Sequence, residues 1–219
     1  MQAFTNEKNN AVISGRIAKE PTLSHELYGE SFYIFYLDVL RTSGCFDRIP
    51  VMISERLEDP KNIAVGKKVI VEGQYRSHNM PVGTRSKLIL MVFAREFREI
   101  SDDDNEAMDM NSVVLNGFIC KEPVYRVTPL KREIADILMA VNRSYNKSDY
   151  IPCICWGRNA RFCGKCKVGQ NVKISGRIQS RIYNKKFPDG TEKEMVAYEV
   201  SIASLEILDS DNPETVENG

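Results

Sequence analysis

Hydrophobic and polar residues alternate along most of this chain, and a period of two is typical of β-strands with one buried face. In the second half of the chain the alternation predicts strands at 111–119, 133–143, 148–156, 171–183 and 195–208. In the first half it predicts strands at 10–18, 31–41, 46–53, 68–78 and 87–100. Helical character is confined to 54–63 and 157–166, each between a third and a fourth predicted strand.

The two sets of strands come from an internal repeat. GRIAKEP (15–21) matches GFICKEP (117–123) at an offset of 102 residues, and VGKKVIVEG (65–73) matches VGQNVKISG (168–176) after one inserted residue. A period of about 100 residues suits one small domain per copy and exceeds the roughly 20–50 residues of a solenoid repeat.

Five strands with a short helix between the third and fourth are the element order of an OB-fold barrel. We therefore predict an all-β chain with two tandem five-stranded antiparallel OB-fold barrels. The predicted parts are an N-terminal barrel (1–101), an acidic linker (102–110), a C-terminal barrel (111–208) and a disordered acidic tail (209–219).

The formal net charge of zero conceals an uneven distribution. Residues 111–208 hold 16 basic and 9 acidic residues, whereas 102–110 and 209–219 hold five and four acids and no base. A basic second copy between acidic segments hints at a polyanionic partner, although ordinary surface charge with a solvated linker and tail would look the same.

No apolar run reaches the roughly 18 residues of a membrane span and no signal peptide opens the chain, so we expect a soluble, cytoplasmic protein. The six cysteines lack the spacing of a disulfide framework, and we expect reduced thiols. Cys153-x-Cys155 and Cys163-x-x-Cys166 have partial zinc-site spacing. Because the alternation turns Cys153 and Cys155 into the barrel, we expect neither a metal nor a cofactor.

The second copy resembles the bacterial single-stranded-DNA-binding protein family. The segments that carry the resemblance are LNGFICKEPVYR (115–126), AVNRSYNKSDYIPCICWGRNARF (140–162) and VGQNVKISGRIQSRIY (168–183). The first copy resembles the family more faintly, through GRIAKEP and VGKKVIVEGQYRS (65–77). The resemblance implies an OB-fold, sequence-tolerant binding of single strands, no catalysis and an assembly of about four OB-folds.

Two features depart from that family. Its members usually carry one OB-fold per chain, so that a homodimer of this two-barrel chain would supply four. They also usually end in an acidic tip with a terminal aromatic residue that recruits replication and repair proteins, and the tail SDNPETVENG (210–219) has no aromatic residue. Recruitment of such proteins through the tail is therefore doubtful.

Binding of a single strand without sequence readout needs flat aromatic faces for the bases and cations for the phosphates. The alternation puts Tyr150 and Trp156 on the outer face of one strand, and Arg177, Arg181 and Tyr183 on the outer face of the next. By the resemblance, the base-stacking aromatic residues are Tyr145, Tyr150, Trp156 and Tyr183. The candidate cations on the same surface are Arg126, Arg143, Lys147, Arg158, Arg161, Arg177 and Arg181. The alternative for each residue is packing in the core or at its rim, which is the commoner role of a lone tryptophan.

The first copy serves as an internal control, because it keeps the barrel pattern without the aromatic set. Its residues at the four aromatic positions are Ser43, Arg48, Ser54 and approximately Met80. We interpret this copy as an assembly module whose own exposed aromatic residues bind differently or pack against another subunit. The candidates for that role are Tyr33, Phe35, Phe46 and Tyr75.

These observations predict sequence-independent binding of single-stranded DNA, in replication, recombination or repair, mainly by the second barrel. One alternative is an OB-fold replication or primosome accessory protein that acts through protein contacts. A nuclease is disfavoured because no acidic or histidine cluster accompanies the basic face. RNA remains open as the ligand, since stacking ignores the 2′-hydroxyl.

Overall fold

The computed structural model describes residues 8–82, 85–101, 110–186 and 190–208, so most of the predicted linker and the whole predicted tail lie outside the described residues. The strands are β1 (Asn9–Leu27), β2 (Glu30–Leu40), β3 (Phe46–Ser54), β4 (Lys68–Val82), β5 (Arg85–Glu99), β6 (Asn111–Ile119), β7 (Val124–Val127), β8 (Glu133–Arg143), β9 (Lys147–Trp156), β10 (Asn171–Lys186) and β11 (Glu192–Ile207). A 3-10 helix at Pro60–Asn62 follows β3, and the helix α1 (Arg158–Cys163) follows β9.

The strands close into two rings with the same order. In the first barrel β1 pairs with β2 and β4, β3 with β2, and β5 with β4 and, in parallel, with β3. In the second barrel β6, β8, β9, β11 and β10 repeat this circuit, with the parallel pair between β9 and β11. The predicted all-β fold with five-stranded barrels is confirmed.

The inward-facing residues build the core as the alternation requires. In β2 the side chains of Phe35, Leu37 and Val39 are fully buried, and in β9 those of Ile151 and Cys155 are too. Each fully buried aliphatic or aromatic side chain contributes about 1.5–3 kcal/mol of transfer free energy, so burial of these positions stabilises each barrel.

Two aromatic residues that the sequence analysis took for exposed are core residues. Phe35 and Tyr75 are both fully buried, and Tyr33 packs against the core from a partly buried position. Phe46 is exposed, as expected. Ile34 and Tyr36, by contrast, belong to a separate apolar cluster on the outside of the first barrel. The two faces of β2 were therefore assigned the wrong way round, because both faces of this strand are apolar.

Glycines recur in the repeat where two backbones come close together. A Cβ atom on Gly73 would lie 2.0 Å from the carbonyl oxygen of Phe93, and one on Gly176 would lie 2.2 Å from that of Ser201. Both glycines sit at the irregular step in the pairing of their hairpin. A side chain there would push the strands apart, which explains why both copies keep glycine at this position.

The two barrels share one continuous sheet. Strand β1 pairs antiparallel with β6, and Asn9 lies opposite Leu115 while Ile13 lies opposite Asn111. Backbone hydrogen bonds extend the ladder at both ends, and one of them joins the N–H of Ser14 to the carbonyl of Met110 at 2.8 Å. The barrels are thus related as the two halves of a dimer built into one chain.

A buried carboxylate of the first barrel reaches across this junction. The side chain of Asp47 is fully buried and accepts hydrogen bonds from the backbone N–H of Ser180 at 2.6 Å and from its hydroxyl at 3.0 Å. Arg41 donates to the same carboxylate and also to the carbonyl of Ser180, at 2.9 Å. The carboxylate raises the pKa of Arg41 through the hydrogen bond, so this guanidinium stays charged.

A buried carboxylate of the second barrel makes the equivalent contact with the first barrel. Asp149 is fully buried and accepts from the N–H of Ser77 at 2.7 Å and from its hydroxyl at 2.8 Å. Arg143 lies 3.0 Å from Asp149 without the alignment of a hydrogen bond. Each barrel thus places one buried carboxylate against a serine of the other barrel. These two contacts occupy equivalent positions of the repeat, and we call them the reciprocal lock.

Three local features differ from the predictions. Strand β1 runs on to Leu27, well beyond the predicted end at residue 18, and the predicted helix at 54–63 contracts to the 3-10 turn at Pro60–Asn62. Strand β7 was not predicted, because all four of its residues are exposed and show no alternation.

The expectation of reduced thiols is wrong for one pair of cysteines. Cys155 on β9 and Cys163 at the end of α1 form a disulfide, which ties the helix to the strand. The free thiols are those of Cys45, Cys120, Cys153 and Cys166. Over the described ranges, no group of three or more Cys, His, Asp or Glu residues is arranged to hold a metal ion. No helix in the described part of the chain is long and apolar enough to cross a membrane.

Candidate nucleic-acid interface

Two aromatic side chains stand on the outer face of β9. Tyr150 is 50% exposed and Trp156 is 40% exposed, although the inward neighbours Cys153 and Cys155 are buried. Tyr150 lies opposite Ala140 of β8, whose small side chain leaves the tyrosine ring open from that side. These two rings are presented to solvent by the strand itself rather than by a loop.

The surface between the two rings is apolar. Going along β9 from Tyr150 to Trp156, the outer face carries Pro152 and Ile154, and Ile134 of β8 lies opposite Trp156. Ile154 is 6% exposed and Ile134 is 2% exposed, so they form a floor between the aromatic rings. The period of two puts Ile154 on the same face as Tyr150 and Trp156, but it does not show that neighbouring side chains cover this residue.

The other two candidate aromatic residues flank this face. Tyr145 is 94% exposed in the turn between β8 and β9, where it and Asn146 both have positive φ angles, 62° and 54°. Tyr183 is 37% exposed on β10, and the guanidinium of Arg181 lies 5.7 Å from the centre of its ring. The structure therefore places all four candidate aromatic residues at the surface, and their role in binding stays a prediction.

Two candidate arginines are paired with acids of β8. Arg126 donates to Asp136 at 2.9 Å, and Arg161 donates to Glu133 at 2.7 Å. Tyr125 also donates to Glu133, at 2.6 Å. The hydrogen bonds from Arg161 and Tyr125 lower the pKa of Glu133, so it remains an anion that competes with phosphate for these cations.

The remaining candidate cations differ in their pairing. Arg143 belongs to the reciprocal lock with Asp149, and Arg181 lies 4.0 Å from Glu199. Among the candidate cations, three form no ion pair with a described residue: Lys147, Arg158 and Arg177. These three are the most available for a phosphate.

The sequence analysis missed two cations beside the tryptophan. A cleft of about 530 Å³ is lined by Val127, Lys131, Arg132, Glu133, Trp156, Gly157 and Arg161. Lys131 and Arg132 reach it because β7 and β8 form a hairpin that lies along the edge of the Trp156 face. Recognition of β7 as a strand would have placed both residues here.

At the equivalent positions the first barrel is polar and internally paired. Arg48, the counterpart of Tyr150, donates to both oxygens of Asp38 at 2.8 Å. Ser54, the counterpart of Trp156, donates to Glu30. Ser43, the counterpart of Tyr145, is an exposed turn residue, and the side chain of Met80 lies outside the described residues.

The outer face of the first barrel is also filled by its own side chains. A compact apolar cluster covers it, and His25 stacks on Phe32 with ring centres 5.0 Å apart. The buried members of the cluster are Phe32, Ile34, Met52, Ile89 and Met91. The counterparts of Phe32 and Met52 in the second barrel, Ile134 and Ile154, are equally buried, so the two faces differ in the exposed rings of Tyr150 and Trp156 that stand beside them.

Sequence comparison agrees with the geometry. The model of the single-strand binding protein family matches residues 110–208. Single-stranded DNA-binding protein 3 of Clostridium acetobutylicum is 38% identical over 101 residues, which cover 42% of this chain and 69% of that protein. Single-stranded DNA-binding protein B of Bacillus subtilis is 36% identical over 80 residues, covering 33% and 71%. The chain belongs to the single-strand binding protein family.

A solved structure shows that the resemblance in fold extends to both barrels. The crystal structure of the wild-type single-stranded DNA binding protein from Thermus aquaticus superimposes with a TM-score of 0.70 over 94% of this chain and 96% of that chain. The sequence identity is 17%, so this similarity concerns the fold alone.

Proposed function

We propose that the protein binds single-stranded DNA without reading its sequence, in replication, recombination or repair. The outer face of the second barrel is the binding surface. The observation that carries the proposal is the pair of exposed rings, Tyr150 and Trp156, on an apolar strand face whose counterpart in the first barrel holds Arg48 and Ser54. Membership of the family supports the same function.

The chemistry of this face suits a single strand better than a duplex. Unpaired bases expose ring faces that stack on aromatic side chains at about 1–3 kcal/mol per base, while paired bases do not. Tyr150 and Trp156 are six residues apart on a strand, which corresponds to about 20 Å and keeps two stacked bases separate. Phosphate contacts come from Lys147, Arg158 and Arg177. Their contribution to the affinity decreases as the salt concentration rises.

Substitution of both rings tests the proposal. Tyr150→Ala with Trp156→Ala should lose about 2–6 kcal/mol of binding free energy, roughly a 30-fold to 10⁴-fold loss of affinity for an oligo-dT strand. The matched control is Arg48→Ala with Ser54→Ala, at the same positions of the first barrel. Fluorescence anisotropy of a labelled strand measures both variants.

Two results would contradict the stacking model. One is an affinity of the Tyr150/Trp156 variant equal to that of the wild type, and the other is an equal loss in the Arg48/Ser54 control. Duplex of the same length should bind much more weakly than the single strand, and an oligo-U strand tests whether RNA is accepted. No catalysis is part of this proposal.

We further propose that the first barrel serves mainly to assemble the protein, with residues 102–110 as a linker between two domains. The shared sheet of β1 and β6 supports a built-in pair of barrels. A homodimer would bring four barrels together, and sedimentation equilibrium should then give twice the 24.9 kDa mass of one chain. A mass of one chain at all concentrations would refute the homodimer.

A further inference from the structure

The cleft of about 530 Å³ beside Trp156 contains a carboxylate, although it lies on the surface that we propose for the DNA strand. Its lining combines the tryptophan ring, the side chain of Glu133 and the cations Lys131, Arg132 and Arg161. The volume lies within the roughly 300–1,000 Å³ of sites that hold a small organic molecule. We call this site the Trp156 cleft.

Strand pairing places Glu133 next to the tryptophan. Ile134 lies opposite Trp156, and the backbone N–H of Gly157 donates to the carbonyl of Glu133 at 2.9 Å. Gly157 has a φ of 56°, and a Cβ atom built on it would have no heavy atom within 4 Å apart from its chain neighbours. The backbone between the ring and the carboxylate therefore faces open space, into which a base stacked on Trp156 can extend.

The carboxylate of Glu133 is held in position and keeps one acceptor site. Nε of Arg161 donates to its two oxygens at 2.8 and 2.7 Å, and the hydroxyl of Tyr125 donates to Oε1 at 2.6 Å. A carboxylate has about four lone-pair sites, so these three hydrogen bonds leave one, on Oε2. The side chain of Glu133 is 23% exposed, and it can therefore accept a hydrogen bond from a group that enters the cleft.

The fold does not require an acid at this position. In the first barrel Ser31 stands at the position of Glu133, and the N–H of Glu55 donates to its carbonyl at 3.0 Å, as Gly157 does in the second barrel. A carboxylate beside a phosphate path also lowers the affinity for every strand, because like charges repel each other. Glu133 therefore costs affinity without being needed to close the barrel, which indicates a role toward the ligand.

The bases differ in what they offer to a carboxylate. Cytosine, adenine and guanine carry an exocyclic amino group that donates, and acidic side chains accept from the N4 amino group of cytosine in protein–DNA complexes. Thymine carries a carbonyl oxygen, O4, where cytosine carries this amino group, and uracil does the same. A carbonyl oxygen placed against Oε2 of Glu133 repels it and leaves the acceptor site unpaired.

We propose that the Trp156 cleft distinguishes one nucleotide of the bound strand, and that Glu133 favours there a base with an exocyclic amino group over thymine or uracil. Trp156 stacks on this base, and Oε2 of Glu133 accepts from its amino group. Arg161 and Tyr125 are positioning residues, because they hold the carboxylate without touching the base. The inference rests on the proposed function and refines it, since the other nucleotides of the strand still bind without regard to sequence.

The test compares oligo-dC and oligo-dU strands of about 12 nucleotides on the full chain, because one OB-fold occupies about 4–16 nucleotides. Cytosine and uracil have the same size, neither has a 5-methyl group, and cytosine has an amino group where uracil has a carbonyl oxygen. Glu133→Gln keeps the size of the side chain but offers both a donor and an acceptor, so it suits either base. The matched control is Asp136→Asn, which removes another acid of β8 that is paired with an arginine but lies outside the Trp156 cleft.

The decisive quantity is the ratio of the affinities for oligo-dC and oligo-dU, measured by fluorescence anisotropy for each variant. A good bidentate pair discriminates between bases by about 5-fold to 150-fold, and a single free lone pair places Glu133 at the lower end. Glu133→Gln should therefore reduce the dC/dU ratio about fivefold, while its affinity for oligo-dU rises because the repulsion is removed. Asp136→Asn should keep the wild-type ratio, since any change in its affinity applies to both strands.

Three results would overturn the inference. An unchanged ratio in Glu133→Gln, or an equal reduction in Asp136→Asn, shows that Glu133 does not distinguish the base, and the proposed function then stands. An equal loss of affinity for both strands in Glu133→Gln assigns the residue a purely structural role. If the wild-type protein binds neither strand at low salt, the proposed function itself is refuted.

Discussion

Asp47→Ala should destabilise the two barrels together, although the residue belongs to the first barrel alone. Its carboxylate is fully buried and receives Arg41 from its own barrel and Ser180 from the other. The substitution removes the acceptor for all of these donors without changing the apolar core of either barrel.

The expected loss in the free energy of unfolding comes from the polar groups that no longer have the carboxylate as a partner. Removal of one partner from a buried ion pair costs about 3–5 kcal/mol. Arg41 keeps 26% of its side chain exposed, so water can replace part of the hydrogen bonding that it loses with the carboxylate. The N–H of Ser180 is left without its acceptor, at about 1–3 kcal/mol for a buried donor. We therefore expect a loss of about 3 kcal/mol, which lowers the melting temperature of a chain of this size by about 6–12 °C.

The lone tryptophan makes the assay specific to one barrel. Trp156 lies in the second barrel, so its fluorescence in a urea titration reports that barrel, whereas far-UV circular dichroism reports both. In Asp47→Ala both transitions should shift to lower urea by the same amount. Ser180→Ala removes the hydroxyl alone, so it should cost only about 1 kcal/mol.

Different shifts of the two unfolding transitions would refute the coupling between the barrels. If the circular dichroism transition of Asp47→Ala moves while the tryptophan transition keeps its wild-type midpoint, the carboxylate stabilises its own barrel only and the reciprocal lock does not couple the two. Asp149→Ala, the mirror variant, should then show the opposite pattern, whereas a true lock makes the two variants alike.

Three further outcomes are expected. Asp136→Asn removes the anion paired with Arg126, so affinity for oligo-dT should rise several-fold at low salt, and an unchanged affinity in a titration would show that Arg126 does not contact phosphate. Tyr75→Phe should raise the free energy of unfolding by about 1 kcal/mol in urea titrations, because the Tyr75 hydroxyl is buried with no hydrogen-bond partner in the described residues. Burial, and then the charges of His25 and Arg143, lower the pKa of His78, so stability is full above the unfolded pKa of about 6.5 and falls on acidification. His78→Gln should reduce that loss between about pH 7.5 and pH 5.5.

The sequence predicted the fold because the barrel strands obey one rule. Inward residues such as Ile151 and Cys153 alternate with outward ones such as Tyr150, and the repeat doubled every observation. The alternation failed where both faces are apolar, as in β2, and where neither is, as in β7. The prediction depends on a difference in hydrophobicity between the two faces of a strand, and these two strands lack that difference.

The candidate site was predictable only in part, since the sequence shows which face a residue occupies but not its neighbours. The outward position of Trp156 followed from the period of two. The ion pairs of Arg126 and Arg161 did not, because they depend on the acids that β8 places beside them. The reciprocal lock was beyond prediction as well, because Asp149 and Ser77 belong to different barrels that meet where β1 pairs with β6.

Fusion of two barrels explains why the copies have diverged in some places and not in others. In a dimer of identical chains, one substitution changes both binding faces at once. In this chain Tyr150 and its counterpart Arg48 can change independently, and so can Trp156 and its counterpart Ser54. Asp47 and Asp149 lack this freedom, because each accepts hydrogen bonds from the opposite barrel and the loss of either weakens the single junction that both barrels share. The pair Asp47 and Asp149 is therefore kept where the barrels join, whereas the pair Tyr150 and Arg48 differs on the face that we propose for binding.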